Sequence, residues 1–171
     1  MTASPPTPQP TTSPLLPWLQ LVRLPTVFTA LADILLGSLL VPPDVGVDRL
    51  PLLGLLLAAS AGLYLSGMVF NDVFDRDRDA VERPGRPLPS GRIRLGAAVF
   101  LGVLLMSGGV AAATTVSQRT GSPASLCIAV ALAACVLAYD AWLKSPPLRP
   151  VAIGACRSLN VLLGATIAGS F

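Results

Sequence analysis

Five long apolar runs, separated by shorter polar connections, dominate the pattern along this chain: residues 19–41, 51–70, 95–116, 124–143 and 151–171. Each is about 20 residues or longer, the length a helix needs to cross the hydrocarbon core of a bilayer. The medium fixes their conformation, because an open strand edge in lipid leaves backbone N–H and C=O groups unpaired. The pattern therefore predicts an all-α, multi-pass transmembrane helix bundle of about five spans, covering residues 18–171. Residues 1–17, MTASPPTPQPTTSPLLP, are rich in Pro, Ser and Thr and carry no charge; they are expected to form a disordered tail. The tail has no basic leading region, and no small-residue cleavage site follows the first apolar run. That run is expected to be retained as a span.

Composition agrees with the pattern. Hydrophobic residues make up 53% and charged residues 12% of the chain, and its mean hydropathy is +0.69, whereas soluble domains carry about 25% charged residues. Cys127, Cys135 and Cys156 all fall inside apolar runs without metal-ligand spacing and are expected as small core residues. Histidine is absent, so a general base would have to be a carboxylate, a tyrosine, a lysine or the substrate itself.

Charge adds orientation. With five alternating spans, Arg23, the six arginines from Arg76 to Arg94, Lys144 and Arg149 fall on one side, and only Arg49 and Arg119 fall on the other. The positive-inside rule then makes the first group cytoplasmic, in a cell inner membrane. The net charge of +3 is topological, and gives no reason to expect a nucleic-acid partner.

One polar stretch stands out, NDVFDRDRD at residues 71–79, directly after the second apolar run. If the helix continues through it at about 100° per residue, Asp75, Asp79 and Asp72 lie near ~40°, ~80° and ~100° from Asn71, and Asp77 near ~240°. Four oxygen-bearing side chains then share one face. Like charges at that spacing repel by a few tenths of a kcal/mol per exposed pair, and by more where water is excluded, so a cation is expected among them. Oxygen ligands without His or Cys suit Mg²⁺, which prefers one or two carboxylates together with substrate phosphates. The arginines at 76, 78, 83, 86 and 92 offer guanidinium forks for phosphate oxygens. The helix is expected to stop near Val81 or Glu82, because Pro84 disfavours helical geometry at Arg83 and a loop, RPGRPLPSGR, follows.

At these residues the chain resembles the UbiA-type superfamily of intramembrane prenyltransferases, whose first motif, N-D-x-x-D-x-x-x-D, is met by Asn71, Asp72, Asp75 and Asp79. The RPGRPLPSGRI loop, Tyr139 with Lys144, and RLPTVFTALADILLG from Arg23 to Gly37 are similar to further elements of that family. CRSLNVLLG, from Cys156 to Gly164, looks like a UbiA-like branch associated with ebo-type gene clusters. The resemblance implies a nine-helix bundle around a central cavity, binding Mg²⁺ and a prenyl diphosphate. The prenyl group would pass to an acceptor, here unidentified, within the membrane lipid. It further implies Asp72, Asp75 and Asp79 as catalytic residues and Asn71, Asp75 and Asp79 as metal ligands. Arg83, Arg86, Tyr139, Lys144, Arg157 and Asn160 would bind substrate.

Five spans are fewer than nine, and the family's second aspartate motif has no counterpart, so the chain reads as an N-terminal half whose activity requires a C-terminal half. A non-catalytic UbiA-like protein for lipid or metabolite binding or transport is the alternative. A phosphatidyltransferase of the CDP-alcohol type is disfavoured, because its D-G and A-R elements do not precede Asp75 and Asp79. Asp33 and Arg157 fall within apolar runs, where a charge costs on the order of 2.5–3.5 kcal/mol. They are expected either to pair with each other or to line the substrate cavity. Asn160, near Arg157 on the same helical face, favours the cavity.

Overall fold

The structure is a computed structural model that describes residues 15–42, 48–144 and 148–168. Seven α-helices run in order: α1 Leu16–Val22, α2 Val27–Leu40, α3 Arg49–Phe74, α4 Arg76–Glu82, α5 Leu95–Thr120, α6 Ala124–Ala141 and α7 Arg149–Ala165. Short 3₁₀ turns at Leu24–Thr26 and Thr166–Ala168 extend α2 and α7, and no strand occurs among the described residues. The architecture is thus the expected all-α bundle, with five stretches long and apolar enough to cross a membrane. Of the expected disordered tail, residues 1–14 lie outside the described residues; α1 starts at Leu16, inside the stretch assigned to the tail.

The large apolar side chains divide between two environments. Leu56, Leu63, Ile34, Val116 and Leu163 are buried in the bundle, whereas Leu39 at 83% and Phe100 at 69% exposure project outward. In water such exposure would be a liability, but it is what lipid-facing helix surfaces require. Among the described residues the chain has the form of a multi-pass membrane protein.

Helices in lipid gain little from apolar burial and associate instead by close van der Waals packing, which small residues permit. Two glycine seams do this here. Between α2 and α7, a β-carbon on Gly37 would collide with the Val161 carbonyl oxygen, and one on Gly164 with that of Ile34. Between α3 and α5, a β-carbon on Gly62 would lie 2.7 Å from the Leu105 carbonyl oxygen, and one on Gly109 would lie 2.9 Å from that of Ala59. Asn160 Nδ2 donates to the Ala30 carbonyl oxygen at 2.8 Å and adds a polar stitch to the α2–α7 seam. From the start of α3, Arg49 Nη2 donates to the Ser38 carbonyl oxygen at 2.8 Å, satisfying one acceptor left open at the end of α2. Gly121, in the left-handed region at φ 72°, ends α5 and lets the chain reverse into α6.

The helix through the aspartate motif departs from expectation. It does not run unbroken from the second span to Glu82: Asp75, at φ −86° and ψ 2°, separates α3 from α4. The backbone ladder nonetheless persists, with Asp75 N–H donating to Asn71 O at 3.0 Å and Asp79 N–H to Asp75 O at 2.8 Å. The long α3 and the short α4 are therefore joined through Asp75 by continuing backbone hydrogen bonds, and α4 ends at Glu82 ahead of Pro84 as the proline predicts.

Cys135 on α6 and Cys156 on α7 are free thiols whose sulfurs are 3.3 Å apart, so the cysteines expected as simple core residues include a contacting pair. Mild oxidation of the protein in detergent is expected to link Cys135 to Cys156 within one chain and to leave the exposed Cys127 open to alkylation; peptide mapping that finds Cys127 in the link would contradict the α6–α7 packing. Overpacking a close-packed seam costs on the order of 1–3 kcal/mol. Gly164→Val is accordingly expected to lower the detergent melting temperature, whereas Gly54→Ala, with open space around its α-carbon, is expected to leave it unchanged or raised.

Candidate functional site

The aspartates sit where α3 and α4 leave the apolar part of the bundle. Asp72 and Asp79 are 4% and 1% exposed, the Asp75 side chain is 14% exposed, and Asp77 faces solvent. Buried carboxylates at this spacing are held together by cations brought from distant parts of the sequence. Arg86, in the loop after α4, bridges Asp72 at 3.3 Å and Asp79. Arg23, between α1 and α2, reaches Asp72 at 2.7 Å. Lys144, beyond the end of α6, lies 2.9 Å from Asp75 and 3.8 Å from Asp140. Arg78 lies 3.6 Å from Asp75 and 3.8 Å from Glu82 on the exposed side. Asn71 Nδ2 leans on Asp72 at 3.5 Å.

Arg23 is held in an unusual way. At φ 48° and ψ 45° it is the one non-glycine residue with positive φ among the described residues, a conformation that costs about 1–2 kcal/mol for an ordinary side chain. The Thr26 hydroxyl and N–H both donate to its carbonyl oxygen, at 2.8 and 2.9 Å. The kink so formed lets α1 fold across the loop, with Leu21 packing into a small apolar cluster of Val69, Leu88, Ile93 and Ala98.

Behind the aspartates, α2, α3, α6 and α7 enclose a cavity of about 330 Å³. Its wall is largely apolar, from Leu63, Met68, Leu132, Val136 and Ile153, with Tyr64 and Tyr139 among them. Its charged and amide side chains are Asp33, Asp140, Arg157 and Asn160, with the hydroxyl residues Thr29 and Ser60 beside them. Asp33 and Arg157 pair at 2.6 Å and both line the cavity, so the two expected roles occur in one arrangement; the Arg157 side chain is 60% exposed. Asn160 donates one amide N–H to α2, and its Oδ1 is left without a partner.

Two buried side-chain oxygens among the described residues accept no hydrogen bond, Asp140 Oδ2 and Asn160 Oδ1, and both residues line this cavity. An unsatisfied buried acceptor costs about 1–3 kcal/mol, which a donor entering the cavity would recover. The donor set near the aspartates is all oxygen, as Mg²⁺ prefers. No group of three acidic, His or Cys side chains among the described residues is close enough to hold an ion by itself. The residues thus fit a cation shared with phosphate oxygens, and not one caged by protein alone.

Of the residues expected from sequence, Asp72, Asp75, Asp79, Arg86 and Lys144 converge in one charged cluster. Tyr139, Arg157 and Asn160 line the cavity. Arg83 lines neither, and faces a separate depression beside Arg23 and Arg92. Sequence reasoning passed over Asp140 and the pairing of Arg23. Asp140 had a legible signal, since it stands four residues before Lys144 at the end of an apolar run. For Arg23 the signal was weaker: a lone basic residue between two apolar helical segments.

Known proteins are similar to this chain in fold and in sequence. A solved structure concerned with the biosynthesis of digeranylgeranylglyceryl phosphate synthase in membranes superposes with a TM-score of 0.79 at 27% identity, over 91% of this chain and 54% of that one. Digeranylgeranylglyceryl phosphate synthase of Methanothrix thermoacetophila is 37% identical over 63% of this chain and 40% of its own length. The synthase of Methanopyrus kandleri is 32% identical over 77% of this chain and 45% of its own. The chain thus spans less than half the length of these curated relatives. Residues 25–171 match the UbiA prenyltransferase family, and the chain belongs to that family.

Proposed function

We propose that this chain takes part in Mg²⁺-dependent transfer of a prenyl group from a prenyl diphosphate to an acceptor within the membrane. The observation that carries this reading is Lys144, which joins Asp75 of the charged cluster to Asp140 of the apolar cavity. A molecule with a hydrocarbon tail in the cavity would have its polar head at that junction. The membership of the chain in the UbiA prenyltransferase family and the named activity of its relatives support the same reaction class. The relatives' product name, a glyceryl phosphate, points to a lipid-like acceptor. The excess of basic residues in this connection supports placing it on the cytoplasmic side of an inner membrane.

In this mechanism the bond between the allylic carbon and the diphosphate oxygen breaks, with its electron pair leaving on the diphosphate. A nucleophile of the acceptor then attacks the carbon and gives up its proton. Arg86 and Lys144 reach phosphate oxygens with their remaining N–H donors, with Asp72 keeping Arg86 aimed. Developing charge on the leaving group strengthens these contacts more than the ground state does. Tyr64 and Tyr139 line the cavity where the carbon becomes cationic, and a ring face turned to that charge would favour it by cation–π attraction. Leu63, Leu132, Val136 and Ile153 keep water away from it. Bound Mg²⁺ would neutralise leaving-group charge, with Asn71, Asp75 and Asp79 as its protein ligands.

Isothermal titration with pyrophosphate and Mg²⁺ tests the site on the chain as it stands. Mg²⁺ alone is expected to bind only in the millimolar range and to tighten when pyrophosphate is present, because protein ligands are too few to hold it. Asp79→Asn is expected to weaken the ternary complex by roughly 10-fold or more, while Asp77→Asn changes it little. Equal losses in the two variants would mean that the buried face is not the binding face. Labelled prenyl diphosphate incorporated into lipid extract, and abolished by EDTA, checks the transfer itself. Tight binding without any incorporation would favour a lipid-binding or transport role instead.

A further inference from the structure

Cys135 on α6 and Cys156 on α7 are free, half-buried thiols whose sulfurs are 3.3 Å apart. The Cys156 thiol donates to Cys135 Sγ, and the Cys135 thiol to the Ala152 carbonyl oxygen at 3.9 Å. Of the two, Cys156 lines the apolar cavity. We propose that this pair is a peroxide-responsive site in the cavity wall: Cys156 takes the oxidant, Cys135 resolves it, and the resulting disulfide staples α6 to α7.

The class of oxidant follows from where the sulfurs lie. Cys135 precedes the end of α6 at Ala141 by six residues, and Cys156 follows the start of α7 at Arg149 by seven. At about 1.5 Å per residue each is roughly 10 Å inside its span, within a hydrocarbon core about 30 Å thick. A charged disulfide such as oxidised glutathione is excluded from that depth, because charge there is costly. An uncharged peroxide is not excluded, and the cavity admits it to Cys156 past the apolar side chains of Leu132, Val136 and Ile153. A thiol sealed in a core is inert. Here one sulfur opens on a cavity and touches a second, which is the arrangement of an attacking and a resolving cysteine.

Cys156 Sγ attacks the terminal oxygen of the peroxide, the O–O bond breaks, and the thiol proton leaves with the other oxygen as an alcohol or as water. A sulfenic acid remains on Cys156. Cys135 Sγ then attacks Cys156 Sγ, the S–O bond breaks, and the hydroxyl leaves with the Cys135 proton as water. The peroxide gains two electrons and each sulfur gives up one. A disulfide bond is about 2.05 Å long, so the sulfurs close by little more than an ångström from their 3.3 Å separation. Because α7 packs backbone to backbone on α2 through Gly37 and Gly164, a staple from α6 to α7 also joins α6 to α2. All three helices wall the cavity, so joining them fixes its width and slows exchange of what it holds. The inference rests on the prenyl-transfer reading only for the identity of that occupant.

The test uses the chain in nanodiscs of saturated phosphatidylcholine, treated with cumene hydroperoxide, hydrogen peroxide or oxidised glutathione. Either peroxide is expected to abolish alkylation of Cys135 and Cys156 and to join them in peptide maps, while oxidised glutathione leaves both free. Faster linking by cumene hydroperoxide identifies a peroxide arriving through the lipid, and faster linking by hydrogen peroxide one arriving through water. In Cys135→Ser, dimedone is expected to trap a sulfenic acid on Cys156; in Cys156→Ser it should trap none on Cys135. Trapping on Cys135 instead, or linking by oxidised glutathione as fast as by peroxide, overturns the proposal. Release of geranyl pyrophosphate in the presence of Mg²⁺ is expected to slow several-fold on linking, to recover with a phosphine reductant, and to ignore peroxide in Cys135→Ser. Unchanged release from the linked chain overturns the staple's hold on the cavity. If geranyl pyrophosphate fails to bind even the reduced chain while the link forms, the prenyl-transfer reading falls and the redox site stands.

Discussion

Carboxylates drawn together at the end of an apolar helix repel one another in proportion to how well water is excluded, and the cations that relieve this repulsion organise the polar end of the molecule. Asp72, Asp75 and Asp79 each have at least one basic partner. Those partners come from the first helical segment, from the loop after α4 and from the end of α6. Neutralising one face of one helix thus ties together elements that are remote in sequence. Removing Arg86 would leave the buried Asp79 without its basic partner, which is more costly than never having formed the pair. In the proposed function the same contacts would ready the site for phosphate, because a guanidinium or ammonium held by a carboxylate is positioned but still exchangeable.

Much of this was legible in the chain. The spans followed from length and apolarity, since lipid leaves so few conformations available. The shared face of Asn71, Asp72, Asp75 and Asp79 followed from the period of the helix, and the exposure of Asp77 from the same arithmetic. The break at Asp75 did not, because a single residue relaxing toward the bridge region keeps the bonds from Asp75 N–H to Asn71 O and from Asp79 N–H to Asp75 O and writes no signal into the pattern. Pairings across the bundle were also hidden. Nothing in local sequence says that Cys135 meets Cys156, or that Arg23 turns left-handed to reach Asp72; each depends on how helices cross. The pairing of Asp33 with Arg157 was open to sequence only as one of two choices, and the structure unites them by placing the pair on the cavity wall.

The chain also illustrates how polarity is rationed inside a membrane bundle. Ser60, Ser66 and Thr166 are buried, and their hydroxyls donate to backbone carbonyl oxygens on α2, within α3 and within α7. Their donors are thereby consumed locally. Asp140 and Asn160 are the exceptions, each with an oxygen left open toward the cavity. Unsatisfied acceptors are therefore concentrated where a ligand would arrive, which distinguishes the cavity from the rest of the interior.

The two glycine seams have a mechanical consequence. Backbones in direct contact cannot slide or part without losing their packing altogether, so α2 with α7 and α3 with α5 each behave as a stiff unit. The cavity takes walls from both units and from α6. Any change in its width must then come from one unit tilting against the other, in the manner of a shear between packed layers.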